Sequence, residues 1–335
     1  MTSAVPSSDL DFDRGIHNQG RVDIDMSRVD RLRASVGSFI KGKPSTINLA
    51  LVCLLAQGHL LLDDVPGVGK TSLARALAHS LGVKWNRIQF TPDVLPSDVT
   101  GVSVYHQGTG TFEFHPGPAF ASVVLADEIN RATPRTQAAL LEAMEEGTVS
   151  VDGETHVLPW PFLVIATQNP VEMAGTYPLP EAQLDRFLIR TSLGYPGHDD
   201  EVQVLTDHHA GHRVSEIQAV VGADDVHELI RAAASVHIDP LVLDYIVRLV
   251  GWTRQAEGVT LGASPRGSIA LLRAARAWAI LHGRAHVLPG DVQALASPVL
   301  AHRLVIDVDG QARGLTGVAV VDMAVKSVAA PQPND

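Results

Sequence analysis

The stretch Asp64-Val65-Pro66-Gly67-Val68-Gly69-Lys70-Thr71 has the residue types and spacing of a phosphate-binding loop. It follows the apolar run Leu60-Leu61-Leu62 and opens a segment with Leu73, Ala76, Leu77 and Leu81 at helical spacing. Strand, glycine-rich loop and helix in that order let backbone N–H groups cradle phosphates, and the helix N-terminus adds partial positive charge. Lys70 would reach the outer phosphates and the Thr71 hydroxyl would ligate Mg²⁺. Ser72, next on the helix, completes the candidate nucleotide-binding set. Asp64 stands where the usual pattern has its first glycine, and aspartate tolerates unusual φ better than bulky residues do.

A second group of candidates ends an apolar strand, Val123-Val-Leu-Ala-Asp127-Glu128. Asp127 would hold Mg²⁺, usually through water, and Glu128 would polarise an attacking water as general base. The plainer alternative is a strand followed by a solvated helix start, since acids favour first turns. A preceding phosphate loop weakens that alternative, because the two motifs need each other. Phe162-Leu-Val-Ile-Ala-Thr-Gln-Asn169 is another buried strand with a polar end. The Asn169 amide could orient the water, although Asn169-Pro170 also favours a turn.

Three further sets complete the inventory. Arg186, between Asp185 and Phe187, could stabilise charge on a transferring phosphoryl group, its own or a neighbour's. Arg131, Arg135 and Arg190 compete for that role, and an isolated helical arginine is commonly a surface ion pair. Ser264-Pro265-Arg266 reads as an N-cap, a proline at the first helical position and an arginine in the first turn. Arginine gains nothing from the helix dipole there, so reaching back to a nucleotide phosphate is one reason for it. His208, His209 and His212 suggest a metal site only loosely, lacking acidic or cysteine partners in the usual patterns, and read as surface decoration.

These residues need a scaffold. The strand candidates are 59–62, 85–90, 122–126, 162–167 and 188–193. They alternate with helical patterns, which argues for a parallel sheet covered by helices. Two segments break the rhythm: 102–114 alternates around Gly108-Thr-Gly110, and 148–158 does so around Asp152-Gly153, a type I′ turn signal. Both read as hairpins. After Pro196-Gly197 the strands stop, and 199–209, 225–235, 241–256, 265–282 and 290–300 read as helices. The domain reading is therefore a disordered segment 1–28, an α/β core 29–196, a helical unit 197–330 and a disordered tail 331–335.

The chain has 335 residues, 45% hydrophobic, with a formal net charge of −11. That size suits two domains, or one plus a smaller helical one, and the acidic balance argues against a duplex-binding surface. Cys53 is the single cysteine, so it reads as a small buried hydrophobe and no disulfide framework is possible. No run approaches the length of a membrane span, and the acidic beginning is no signal peptide. A cytoplasmic protein is expected.

Taken together, Asp64–Thr71, Asp127-Glu-Ile-Asn-Arg131, Ala138-Ala-Leu-Leu-Glu-Ala-Met-Glu145, Ala166-Thr-Gln-Asn-Pro170, Leu179-Pro-Glu-Ala-Gln-Leu-Asp-Arg-Phe187 and Gly262-Ala-Ser-Pro-Arg266 resemble the MoxR family of AAA+ ATPases. The resemblance spans about residues 29–304 and rests on six motifs in order. It implies a five-stranded core with an all-α lid, the 102–114 hairpin as helix-2 insert and the 148–158 hairpin as pre-sensor-1 insert. It implies Asn169 as sensor 1, Arg186 as arginine finger and Arg266 as sensor 2. It also implies ATP and Mg²⁺, rings that are commonly hexamers, and chaperone-like action on client proteins, often ones with von Willebrand factor A domains. Two functional readings use the same residues: a remodelling motor, or a slow nucleotide-gated scaffold that hydrolysis merely resets. A helicase-like motor is disfavoured by charge.

Overall fold

The computed structural model describes residues 25–169, 175–211 and 214–332. Most of the segment 1–28 lies outside them, but its end is ordered, which corrects the boundary: helix α1 (Met26–Phe39) begins there. The Asp25 carboxylate accepts a hydrogen bond from the Ser27 N–H at 3.0 Å, an N-cap that fixes the helix start. Val29, Leu32 and Val36 on one face of α1 are buried. Of the tail 331–335, Pro331 and Gln332 are described, in neither helix nor strand.

The chain continues through α2 (Pro44–Leu55), β1 (Leu60–Asp63), α3 (Lys70–Leu81), β2 (Trp85–Gln89) and α4 (Pro96–Thr100). A hairpin of β3 (Gly101–His106) and β4 (Thr111–Pro116) leads to β5 (Val123–Asp127) and α5 (Pro134–Glu146). A second hairpin, β6 (Thr148–Val151) and β7 (Glu154–Val157), precedes β8 (Leu163–Gln168), α6 (Glu181–Leu184) and β9 (Ile189–Thr191). β1, β2, β5, β8 and β9 form one five-stranded parallel sheet in the order β2-β5-β8-β1-β9. All five expected strands are there, with ends moved by one or two residues. Both expected hairpins are there too, and Asp152 and Gly153 have φ of 50° and 84°, as a type I′ turn requires.

The sheet is buried on both faces, which is why its strands read as unbroken apolar runs. Period-2 alternation sends Leu60, Leu62, Val123, Leu125, Leu163 and Ile165 into one apolar cluster and Leu61, Val124, Ala126, Val164 and Ala166 into another. The second cluster includes Leu140, Leu141 and Met144 of α5.

After β9 come α7 (His198–His209), α8 (Ala223–Ser235), α9 (Pro240–Thr253), β10 (Val259–Leu261), α10 (Pro265–Leu281), α11 (Pro289–Leu300), β11 (Val305–Ile306), α12 (Val308–Ala312) and α13 (Gly317–Ser327). The expectation that strands stop at Pro196 is wrong in one place. β10 and β11 pair antiparallel, Val259 opposite Ile306 and Leu261 opposite Val305. Segments this short hold too few side chains to display a period of two, so pairing across distant sequence, not local pattern, makes them strands. No apolar gap falls at 196/197. Leu229 of α8, Leu271 of α10 and Leu295 of α11 share the first cluster with Leu51 of α2 and the sheet. No described helix is long and apolar enough to cross a membrane.

His59, just before β1, ties the amino edge of the sheet to α5. Its Nδ1 accepts from the Val164 N–H at 3.1 Å, so Nε2–H donates to the Met144 carbonyl at 3.0 Å. That ring is neutral in the fold. Burial is the main cause lowering its pKa from 6.5 to about 4. The unfolded chain takes up this proton as pH falls through about 6.5, whereas the folded chain resists it until about pH 4. The contribution is therefore full above 6.5 and lost by 4, and over that span it amounts to about 3 kcal/mol. His59→Gln should flatten the fall in denaturant midpoint between pH 6.5 and 4 relative to wild type. Parallel curves for the two proteins would refute the assignment.

Candidate functional site

The loop after β1 takes its shape from two glycines with positive φ, Gly67 at 88° and Gly69 at 101°. A Cβ at Gly67 would meet nothing within 4 Å, so the space beside this glycine is open. α3 begins at Lys70, and its N-cap, Gly69, has no side chain to cap the first-turn N–H groups. Those donors and the loop amides are the groups a phosphate needs. Val68 is buried and anchors the loop, Val65 is half-buried, and Pro66 is exposed. The buried Lys70 ammonium donates to the Asp64 carbonyl at 2.9 Å and the Val65 carbonyl at 3.2 Å. Thr71 and Ser72 sit half-buried in the first turn.

Asp64 corrects the sequence argument made for it. Its φ is not positive. Its buried carboxylate instead accepts hydrogen bonds from the N–H groups of Leu193 and Gly194, the latter at 2.9 Å. Aspartate thus ties the entry of the loop to the segment after β9, a bond that glycine could not make. Its side chain faces that segment, and only its carbonyl touches Lys70.

Asp127 ends β5 and is buried. One carboxylate oxygen accepts from the Thr167 hydroxyl at 2.7 Å, and the other pairs with the Arg87 guanidinium of β2 at 2.6 Å. Glu128 has φ +58°, outside the usual region for a residue with a side chain. Its N–H donates to the Thr167 hydroxyl at 2.9 Å, which helps hold that conformation. Its carboxylate accepts from Gln89 at 3.0 Å and pairs with Arg131 at 2.9 Å. Asn169 follows β8 and is buried. Pro170 lies outside the described residues.

Every one of these groups sits at the carboxyl edge of the parallel sheet. The remaining two candidates do not. Arg186 pairs with Glu145 at 3.1 Å, and Arg266 pairs with the other oxygen of the same carboxylate at 3.2 Å. Glu145 is one residue past Met144, whose carbonyl binds His59 at the amino edge of β1. Strand rise alone separates the two edges by about 13 Å. Arg266 is thus held by Glu145 at the edge away from its own phosphate loop. Glu145, from the last turn of α5, supplies the anion that the dipole argument left missing.

The competing arginines are placed as well. Arg131 lies beside Glu128, Arg190 pairs with Asp63, and Arg135 is exposed. Arg303, just after α11, fixes the backbone next to Arg186. It is nearly fully buried, binds the Asp185 carboxylate at 2.7 Å and donates to the carbonyls of Asp185 and Phe187 at 3.2 and 2.8 Å. Sequence reasoning missed Arg87, Gln89, Thr167, Glu145 and Arg303. Arg87, Gln89 and Thr167 had a usable signal, since polar residues at the end of a core strand face the same edge as Asp127. Glu145 and Arg303 are joined only by the fold.

His208 and His209 are exposed at the end of α7, and His212 lies outside the described residues.

Residues 59–189 match the family model described as the ATPase family associated with various cellular activities (AAA), and residues 252–322 match the AAA lid domain. The chain is 52% identical over 290 residues to the uncharacterized protein YeaC of Bacillus subtilis, covering 87% of this chain and 91% of that one. It is 40% identical over 315 residues to Chaperone MoxR1 of Mycobacterium tuberculosis, covering 91% and 83%. A crystal structure of a Cytophaga hutchinsonii protein, provisionally called an ATPase, superposes with a TM-score of 0.85 at 37% identity, covering 92% of this chain and 96% of that one. Phosphate loop, acidic strand end, sheet order and lid agree with these matches, and the chain belongs to the MoxR-type AAA+ ATPases.

Proposed function

We propose that this chain hydrolyses ATP at the interfaces of a ring of its own copies, commonly six in this family, and uses the cycle to remodel or activate client proteins in the cytoplasm. The observation that carries the reading is the division of the site between two edges of one subunit. Lys70, Asp127, Glu128 and Asn169 face one edge, while Arg186 and Arg266 share Glu145 at the other. A neighbour in a head-to-tail ring would bring its arginines to this chain's nucleotide. The name of the Mycobacterium tuberculosis relative, a chaperone, supports the client role.

The residues present fit Mg²⁺–ATP. The loop amides, the uncapped first turn of α3 and Lys70 would hold the phosphates, and Thr71 and Asp127 would hold the metal. Bound Mg²⁺ neutralises charge between the phosphates. Glu128 would accept a proton from the attacking water, whose oxygen Asn169 orients. Gln89 and Arg131 both bond Oε2 of Glu128, which leaves Oε1 to take the proton, whereas Asp127 must loosen its hold on Arg87. Phosphate release by the purified protein tests the reading, and nucleotide binding with no turnover, client or not, would end it.

The occupied acids favour a second reading, the nucleotide-gated scaffold. With Asp127 and Glu128 both engaged, turnover would be slow until a partner reshapes the site. Steady-state rates with and without a client separate the two.

The client surface proposed is the β3–β4 hairpin. Its three aromatic residues divide. Phe114 stacks on His156 of the second hairpin at 3.8 Å and packs edge-on against Phe120. Tyr105 and Phe112 pair with each other at 5.2 Å and are 51% and 72% exposed. Phe114 anchors, and the exposed pair is free for contact. Replacing Tyr105 and Phe112 by serine should abolish client-dependent stimulation and leave nucleotide binding unchanged. A von Willebrand factor A domain protein is the client to try first. Undiminished stimulation of the assembled variant would refute the hairpin's role.

A further inference from the structure

The face of the β3–β4 hairpin opposite those aromatic residues carries a different chemistry. In the antiparallel ladder Val102 stands opposite His115, Val104 opposite Glu113 and His106 opposite Thr111. Side chains alternate along each strand, so His106, Glu113 and His115 project from the same side. A ring nitrogen of each histidine and a carboxylate oxygen of Glu113 all lie within 4.8 Å of one another. His106 Nε2 is 2.9 Å from Glu113 Oε2, and the two imidazole centroids are 6.2 Å apart. Among the described residues this is the one group of three such donors close enough to share an ion. None of the three packs into the core, since Phe114, from the other face, seats the hairpin.

We propose that His106, Glu113 and His115 form a Zn²⁺ site that staples β3 to β4 along one face of the hairpin. Two imidazoles and a carboxylate are a borderline donor set, suited to zinc and poorly suited to Mg²⁺, which prefers oxygen ligands alone. The site is therefore chemically distinct from the magnesium position at Thr71 and Asp127. Tetrahedral bonds of about 2.1 Å place donor atoms about 3.4 Å apart. From separations of up to 4.8 Å, with the His106–Glu113 pair at 2.9 Å, the donors must shift by up to roughly 1.4 Å, which exposed side chains can do by rotation. Three protein ligands leave the fourth position to water. The ion would replace the His106–Glu113 pair and bridge the strands. It would hold Tyr105 and Phe112 fixed on the opposite face.

The test uses the full, untagged chain stripped with a chelator, titrated with Zn²⁺ against a chromophoric competitor, with Co²⁺ as a spectroscopic substitute. One equivalent should bind with tetrahedral cobalt absorption. His106→Ala and His115→Ala should each weaken it by at least about tenfold, since even outer-shell changes at metal sites cost that much. Lys70→Ala and the triple variant His208→Ala, His209→Ala, His212→Ala should keep it, and nucleotide affinity should be the same in His106→Ala as in wild type. Retention of the equivalent in a His106→Ala, His115→Ala double variant overturns the site. So does its loss in the His208 triple variant, or an absence of binding at micromolar Zn²⁺.

Discussion

Glu128→Gln is expected to bind ATP as wild type does and to turn it over about 10²–10⁴-fold more slowly, the span that removal of a general base produces. Glutamine keeps the size of the side chain and can still bond Gln89, so the N–H of residue 128 and its Thr167 bond should survive. Lys70→Ala should do the reverse. Removing an ammonium from the outer phosphates costs about 1.5–3 kcal/mol, roughly ten- to 150-fold in affinity. It also strips the carbonyls of Asp64 and Val65 of their donor, so its fold must be checked by thermal melting. Fluorescent-nucleotide titration beside phosphate release reads both variants. Robust turnover by Glu128→Gln would remove Glu128 from the chemistry.

The second large effect concerns the two arginines. Arg186→Ala should lower turnover by about 10³-fold or more, as loss of an arginine finger does. The shared Glu145 adds a sharper expectation. If both arginines serve the neighbour's nucleotide, Arg186→Ala and Arg266→Ala fall into one complementation group. Mixing Lys70→Ala subunits with either one should restore activity, because about a quarter of randomly formed interfaces would then carry an intact loop and both arginines. Mixing Arg186→Ala with Arg266→Ala should restore none. The opposite pattern for Arg266 would show that it acts on its own subunit's nucleotide. Wild-type rings doped with Arg186→Ala supply the control for rings that need every site. If doped rings stay active in proportion while the Lys70→Ala mixture stays silent, action across the interface is refuted.

Local chemistry determined much of this protein in advance. The phosphate loop, the acidic end at Asp127 and Glu128, five core strands and both hairpins were legible because each rests on short-range facts. These are apolar runs, period-2 alternation, helical spacing, and turn residues such as Asp152-Gly153 with positive φ. What sequence could not supply were relations between distant segments. Asp64 reads as a tolerated deviation until Leu193 and Gly194 arrive from across the sheet to meet its carboxylate. Arg266 reads as a phosphate ligand until α5 delivers Glu145 to it at the far edge. β10 and β11 hold too few residues to announce themselves and exist only as partners of each other. Alternation along β4 puts His115 with Glu113, but only the ladder register brings His106 to them on one face. Sequence spacing encodes backbone periodicity, so it determines each element and the residues at its ends. Which ends share an edge, and which charge meets which, depends on sheet order and helix packing, and the tertiary structure alone decided those.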